Sequence, residues 1–130
     1  MRDYILNDKS DYSYFQSLLE GIADLTDREE QEKAWRGGNY SNYTDFDEVY
    51  MGFSDPCEYI LTWDLPEDKK ALLQKLYDMV EDYIEEYDEK KKTEKDVCDD
   101  PKWQEVLAFA RQVYDDLKHV KYVPDEDEED

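Results

Sequence analysis

The stretch Val49–Trp63, VYMGFSDPCEYILTW, decides the predicted fold class, because one set of apolar residues recurs at every second position, while Tyr50 and Ile60 on the other face suggest that both faces are partly covered. The first alternating set is Val49, Met51 and Phe53, and the second is Cys57, Tyr59, Leu61 and Trp63. Ser54-Asp55-Pro56 interrupts the pattern between them. A period of two is typical of β-strands, and an Asp-Pro pair is typical of a turn. We therefore predict a β-hairpin, which a third strand at Tyr4–Leu6 or neighbouring helices must support because an isolated hairpin is only marginally stable.

Helical signals surround this hairpin on both sides. They occur in four segments, residues 11–22, 26–36, 64–92 and 100–117. The third segment has the longest apolar stripe, formed by Leu72, Leu73, Leu76, Val80, Tyr83, Ile84 and Tyr87. Because a short connector joins the last two segments, their helices should pack as an antiparallel pair. Residues 1–124 are therefore predicted to form a single α+β domain, with about four helices around a small antiparallel hairpin or three-stranded sheet.

The chain is strongly acidic. It contains 37 Asp and Glu residues against 16 Lys and Arg, which gives a formal net charge of −21. Such a protein would repel nucleic acid and anionic membranes, and no stretch approaches the roughly 20 apolar residues of a spanning helix. The start of the chain lacks an apolar leader, so the expected compartment is the cytoplasm. Residues 125–130 are all Asp or Glu and are predicted to be a disordered acidic tail.

Residues suited to catalysis or cofactor binding are sparse. His119 is the single histidine, and Cys57 and Cys98 fit reduced cytosolic thiols. The scattered glycines form no phosphate-binding loop. The acidic stretches lack the central glycine and the spacing of a calcium loop. We therefore expect no enzymatic activity, no cofactor and no metal site.

The first acidic feature is a region without compensating cations. No Lys or Arg occurs between Arg36 and Lys69, whereas eight Asp and Glu residues do. Tyrosines are interleaved with these acids, and aromatic area combined with charge is typical of protein interfaces. The alternative is a core of tyrosines with a solvated acidic rim. We call this region the acidic block, and its candidate partner-binding residues are Tyr43, Asp45, Asp47, Glu48, Tyr50, Asp55 and Glu58.

The second acidic feature is a row of carboxylates on the long helix predicted over residues 64–92. Its members, spaced i, i+4, i+7 and i+11, are Asp78, Asp82, Glu85 and Glu89. At the helical rise per residue the row is about 16 Å long. Like charges at this spacing destabilise an isolated helix, so the row does not serve helix stability. We interpret this acidic row as a secondary partner-binding surface, with an ordinary solvated face as the alternative.

The chain resembles the immunity proteins of bacterial toxin systems in its overall character. The residues that support the resemblance are Asp11–Glu20, DYSYFQSLLE, together with the tyrosines and acids of the acidic block. The resemblance extends to the bacteriocin type and to the contact-dependent growth inhibition type. It implies a cytoplasmic partner of a cationic toxin nuclease, which blocks the nucleic-acid site of the nuclease without any chemistry of its own.

Two other functions stand as alternatives. The acidic row and the tail Asp125–Asp130 are similar to features of the phage DNA mimics that block restriction enzymes. A DNA mimic must spread its carboxylates along an elongated surface, because B-DNA has one charge per about 1.7 Å. The charge of this chain is concentrated in one block and one helix face, which favours an inhibitor that occludes a single site. The third alternative is an acidic adaptor or chaperone for a basic protein.

Overall fold

The computed structural model describes residues 5–36 and 46–123, most of which are helical. The α-helices in these ranges are α1 (Lys9–Thr26), α2 (Arg28–Gln31), α3 (Phe46–Ile60), α4 (Glu67–Glu89), α5 (Glu94–Asp99) and α6 (Pro101–Leu117). A π-helical turn, Glu32–Arg36, follows α2. Two short strands, β1 (Ile5–Leu6) and β2 (Lys121–Tyr122), flank the helices.

The four long helices form an up-and-down bundle in which each helix runs antiparallel to both of its neighbours. Side-chain and backbone contacts fix these directions. For each pair of neighbouring helices, two contacts show that the residue number rises along one helix as it falls along the other. These contacts are Tyr14–Tyr59 and Gly21–Gly52 between α1 and α3, and Phe46–Tyr87 and Ser54–Glu81 between α3 and α4. They are Lys69–Asp116 and Glu86–Lys102 between α4 and α6, and Tyr12–Tyr122 and Thr26–Arg111 between α1 and the α6 region. The antiparallel pairing predicted for the last two long helices is confirmed.

The predicted β-hairpin is wrong, because Phe46–Ile60 forms a single helix. The residues of α3 that face the core, Val49, Phe53, Cys57 and Ile60, recur at helical spacing. Met51 and Tyr59 belong to the same alternating sets, yet each is 47% exposed. Pro56 lies inside the helix and is buried, rather than forming a turn. The sequence fits both periods, and burial of the helical stripe decides between them.

The small sheet differs from the predicted one in both partners and direction. β1 and β2 pair in parallel, with Ile5 beside Lys121 and Leu6 beside Tyr122. Tyr4, part of the strand predicted to support a hairpin, lies outside the described residues, and the rest of that segment pairs with the C-terminal strand. The prediction of an α+β fold with an antiparallel hairpin or three-stranded sheet is therefore corrected to a mostly helical fold with a two-stranded parallel sheet.

An aromatic cluster fills one end of the core, where the beginning of α3 meets α4 and α6. The Phe46 ring centroid lies 4.4 Å from that of Tyr87, 5.3 Å from that of Trp103 and 5.6 Å from that of Trp35. The Phe46 N–H donates to Glu94 Oε2 at 2.7 Å, which satisfies one of the unpaired amides at the beginning of α3. This cluster ties the acidic block to the rest of the bundle.

Gln31 is a buried polar residue, 2% exposed, with partners for its whole amide. Its Nε2 donates to the backbone carbonyls of Asp24 and Leu25, at 2.9 and 3.0 Å. Its Oε1 accepts a hydrogen bond from Trp103 Nε1 at 3.1 Å. Because an unpaired buried amide would be costly, this arrangement fixes α2 against the end of α1 and the start of α6.

A buried ion pair joins the first turn of α4 to the last turn of α6. Lys69 Nζ lies 3.0 Å from Asp116 Oδ2, and the two side chains are 4% and 15% exposed. An ammonium group taken out of water requires such a partner, because its desolvation is otherwise uncompensated. Lys69 therefore belongs to the core of the bundle and not to its charged surface.

The end of α4 contains a lysine in a glycine-type conformation. The Lys92 N–H donates to the Tyr87 carbonyl at 3.0 Å and the Lys91 N–H to the Asp88 carbonyl at 3.3 Å, which is a Schellman motif. Lys91 has a φ of 51°, in the left-handed region that favours glycine.

We expect Lys91→Gly to raise the free energy of unfolding by about 1 kcal/mol in urea unfolding followed by circular dichroism. Lys91→Ala keeps the Cβ and should give no gain, so an equal gain in both variants would refute this explanation.

Candidate functional site

The residues predicted for the acidic block lie on α3 wherever the structure describes them. Tyr43 and Asp45 lie outside the described residues. The other predicted residues, Asp47, Glu48, Tyr50, Asp55 and Glu58, all belong to α3. Because successive positions rotate around a helix, these side chains do not share one face as they would on alternate positions of a strand.

Three acids of the block form an exposed stripe on α3. Asp47, Asp55 and Glu58 are exposed on the side away from the core; Asp47 and Glu58, about three turns apart, lie on one line of the helix, and Asp55 lies further round toward Glu48. Glu48 is also exposed but lies on the flank of α3 that carries Tyr59. The helix thus presents its acids to solvent and its Val49–Phe53–Cys57–Ile60 stripe to the core.

Tyr50 lies between α3 and α4 instead of projecting as an anchor. Its hydroxyl donates to Glu81 Oε2 at 2.6 Å, and the Ser54 hydroxyl donates to the same oxygen at 3.2 Å. Burial, and then the hydrogen bond to the Glu81 carboxylate, raise the pKa of Tyr50 to about 12. Tyr50 therefore stays protonated at neutral pH and fixes α3 to α4.

The acidic row is exposed along α4. Asp78, Asp82, Glu85 and Glu89 face solvent, and the opposite side of the helix buries Leu73, Leu76, Val80 and Tyr83. The row begins beside the part of α4 that contacts Tyr50 and Ser54.

The acids of α3 and α4 meet around Cys57. Burial raises the pKa of this thiol, and the charges of Glu58, Glu81 and Asp78 raise it further. Tyr77 responds in the same way, because burial and the charges of Glu81 and Glu58 raise its pKa. Carboxylates from both helices therefore surround the α3–α4 boundary. We call the exposed acids of these two helices the acidic seam, formed by Asp47, Asp55, Glu58, Asp78, Asp82, Glu85 and Glu89, with Asp82 at the edge of the groove between α4 and α6.

The carboxylates of the acidic seam have no cationic partner among the described residues. None of the seven forms an ion pair with a lysine or arginine there. Glu86, on the adjacent flank of α4, shows the contrast, since Lys102 and Lys92 lie 2.8 and 2.9 Å from its oxygens. Lys92 and Lys102 thus pair with Glu86 on the side of α4 that faces α6, and neither forms an ion pair with an acid of the acidic seam.

The titration of Glu86 follows from these ion pairs. Hydrogen bonds from Lys102 and then Lys92 lower its pKa to about 2. Because this folded-state pKa lies below the unfolded value of about 4.3, ionised Glu86 stabilises the fold at neutral pH, and this stabilisation is lost as the pH falls through both values. We expect Lys102→Met to raise the pKa of Glu86 in a carboxyl NMR titration. Lys118→Met, a change at a distant exposed ion pair, should leave it unchanged, and a shift in both variants would contradict the assignment.

An exposed aromatic cluster lies on the other flank of α3. The ring centroids of Tyr14 and Tyr59 are 4.6 Å apart, and those of Tyr59 and Trp63 are 5.7 Å apart. Tyr14 and Tyr59 are 43% and 47% exposed, so this contact is not part of the core. We call these three residues the aromatic triad. Tyr59 and Trp63 are four positions apart, a spacing that predicts side-chain contact only in a helical segment. Because the sequence pattern predicts a hairpin here, it does not predict this contact.

Within the described ranges, no helix has the length and apolar character needed to cross a bilayer. In the same ranges, no cluster of three or more His, Cys, Asp or Glu side chains is arranged to hold a metal ion.

Comparison of the chain with protein-family models, with curated proteins and with solved structures finds no match.

Proposed function

We propose that this protein is a non-enzymatic inhibitor that binds a basic protein through its acidic seam. The partner that fits best is a toxin nuclease in the cytoplasm, whose cationic nucleic-acid site the acidic seam would cover. The mechanism is steric and electrostatic, and this chain supplies no chemistry. This is the function of the immunity proteins that the chain resembles.

The observation that supports this proposal is the concentration on α3 and α4 of exposed carboxylates that form no ion pair with the described residues. Seven exposed acids lie on α3 and α4 without a cationic partner among the described residues, while lysines lie close by on the α6 side. Mutual repulsion of these charges does not favour folding. Their arrangement is suited to a surface with the opposite charge, where complementary potentials accelerate association and exclude wrong partners.

The packing beneath the acidic seam suits a preformed binding surface. The hydrogen bonds of Tyr50 and Ser54 to Glu81 hold α3 and α4 together directly under the exposed acids. Phe46 adds ring contacts with Tyr83 and Tyr87. A surface held by such contacts loses little conformational freedom on binding, which improves affinity without any additional contact.

The test is affinity capture from the source cell at low salt. Tagged wild-type protein is compared with Asp55→Lys/Glu85→Lys, which reverses one exposed charge on each helix of the acidic seam. The matched control, Glu20→Lys/Asp115→Lys, makes the same change in net charge at exposed positions on α1 and α6, away from the acidic seam. We expect wild type and control to retain one stoichiometric basic protein, which the variant of the acidic seam does not retain.

The captured protein is then assayed for nuclease activity, alone and in the complex. Loss of that activity in the complex supports the inhibitor function. Capture of a restriction complex would indicate the DNA-mimic alternative instead. Equal capture by all three proteins, or capture of no basic protein, would overturn the proposal.

A further inference from the structure

The aromatic triad is an exposed apolar surface whose geometry the fold maintains. Tyr59 is the central ring, with Tyr14 of α1 on one side and Trp63 on the other. The Thr62 and Trp63 N–H groups donate to the Tyr59 and Ile60 carbonyls, both at 3.0 Å, so a tight turn at the end of α3 folds Trp63 back against Tyr59. The rings of Tyr14 and Tyr59 are thus held in position while exposed, and the Trp63 ring is partly buried against the core.

The electrostatic surroundings of the aromatic triad are negative. Asp55 is exposed one helical turn before Tyr59, and Asp64 directly follows Trp63 and is exposed. The chain has no Lys or Arg between Arg36 and Lys69. The C-terminal end of α3, which carries the negative end of the helix dipole, also lies here. This environment favours a cation on the rings and disfavours an acidic or purely apolar partner.

We propose that the aromatic triad binds an arginine side chain of the basic partner, beside the contact made by the acidic seam. This inference rests on the proposed function, because it places the same partner on α3. Asp55 belongs to the acidic seam and is one turn from Tyr59, so the two surfaces adjoin. Arginine fits better than lysine, because a planar, weakly hydrated guanidinium stacks on aromatic faces.

The experiment is an NMR titration of the full chain with a hexa-arginine peptide. The signals followed are the aromatic resonances of Tyr14 and Tyr59 and the indole N–H of Trp63. A hexa-citrulline peptide, which has nearly the same shape and no charge, is the control ligand. We expect hexa-arginine to shift the resonances of the aromatic triad and hexa-citrulline to leave them unchanged.

Two substitutions at the central ring separate aromatic from merely apolar contact. Tyr59→Leu keeps an apolar side chain but removes the π-face, so we expect it to weaken hexa-arginine binding at the remaining rings by about threefold or more. Tyr59→Phe keeps the ring and should change the affinity by less than about twofold. Unchanged affinity in Tyr59→Leu, with the circular dichroism spectrum of wild type, would overturn the inference.

The position of the shifts distinguishes failure of this inference from failure of the proposed function. Shifts confined to the acids of α3 and α4 would overturn the role of the aromatic triad and leave the proposed function standing. Equal responses to hexa-arginine and hexa-citrulline everywhere would argue against both. A response of the rings to hexalysine as strong as that to hexa-arginine would refute the preference for a guanidinium group.

Discussion

Replacing Gly21 with alanine is expected to lower the free energy of unfolding by about 3 kcal/mol or more, at the upper end of the range for overpacked cores. A Cβ at this position would lie 2.2 Å from the Gly52 carbonyl oxygen and 2.9 Å from Phe53 Cα. Both are backbone atoms of α3, so no side-chain rotation relieves the clash, and α1 and α3 would have to move apart. The Gly52 carbonyl is also the group to which Pro56, lacking an N–H, cannot donate.

The matched control for this prediction is Gly52→Ala. A Cβ at Gly52 meets no atom within 4 Å, and both glycines lie inside helices. Replacing either glycine with alanine therefore improves helix propensity by a similar amount. Because Gly52→Ala adds no clash, it should stabilise the protein by about 0.5–1 kcal/mol. Urea unfolding followed by circular dichroism measures both variants. Similar stabilities for the two would show that the α1–α3 contact is looser than described.

Asp116→Ala is expected to destabilise the fold by about 3–5 kcal/mol, because it leaves the Lys69 ammonium buried without a partner. Lys69 is 3% exposed, and Asp116 lies 3.0 Å from its Nζ. The measurement is again the free energy of unfolding in urea.

The control removes both charges of this pair. Lys69→Met/Asp116→Leu replaces the ion pair with apolar side chains, and such replacements are often neutral or stabilising. We expect the double variant to recover most of the stability lost in Asp116→Ala. If Asp116→Ala lowers the free energy of unfolding by less than about 1 kcal/mol, the Lys69 ammonium reaches water, contrary to its burial here.

The bundle could be predicted where one period fits the sequence and not where two periods fit. Leu73, Leu76 and Val80 of α4 match helical spacing only, and all three are buried as expected. Within Val49–Trp63 the buried set fits helical spacing, but Met51 and Tyr59 extend it into an alternation. The helix is selected by packing against α1, through a contact of Gly21 with Gly52 that no local pattern reveals.

The candidate site was partly predictable for the same reason. The exposure of the acidic row follows from helical spacing, and the absence of cations before Lys69 is plain in the sequence. The sequence does not predict the acidic seam, because the seam requires that α3 is a helix and runs antiparallel to α4. Nor does it predict that Tyr50 forms a hydrogen bond with Glu81 between these two helices. The aromatic triad joins α1 to the end of α3, which is a tertiary contact that the sequence does not reveal.

The most direct test of the central claim is the association rate constant of the captured basic partner, measured by stopped flow at increasing salt. We predict that Asp55→Lys/Glu85→Lys associates about tenfold or more slowly than wild type at low salt, with a shallower salt dependence. Glu20→Lys/Asp115→Lys, with the same net charge, should slow association far less. Equal rates for the variant of the acidic seam and this control would contradict the claim that the acidic seam guides and binds the partner.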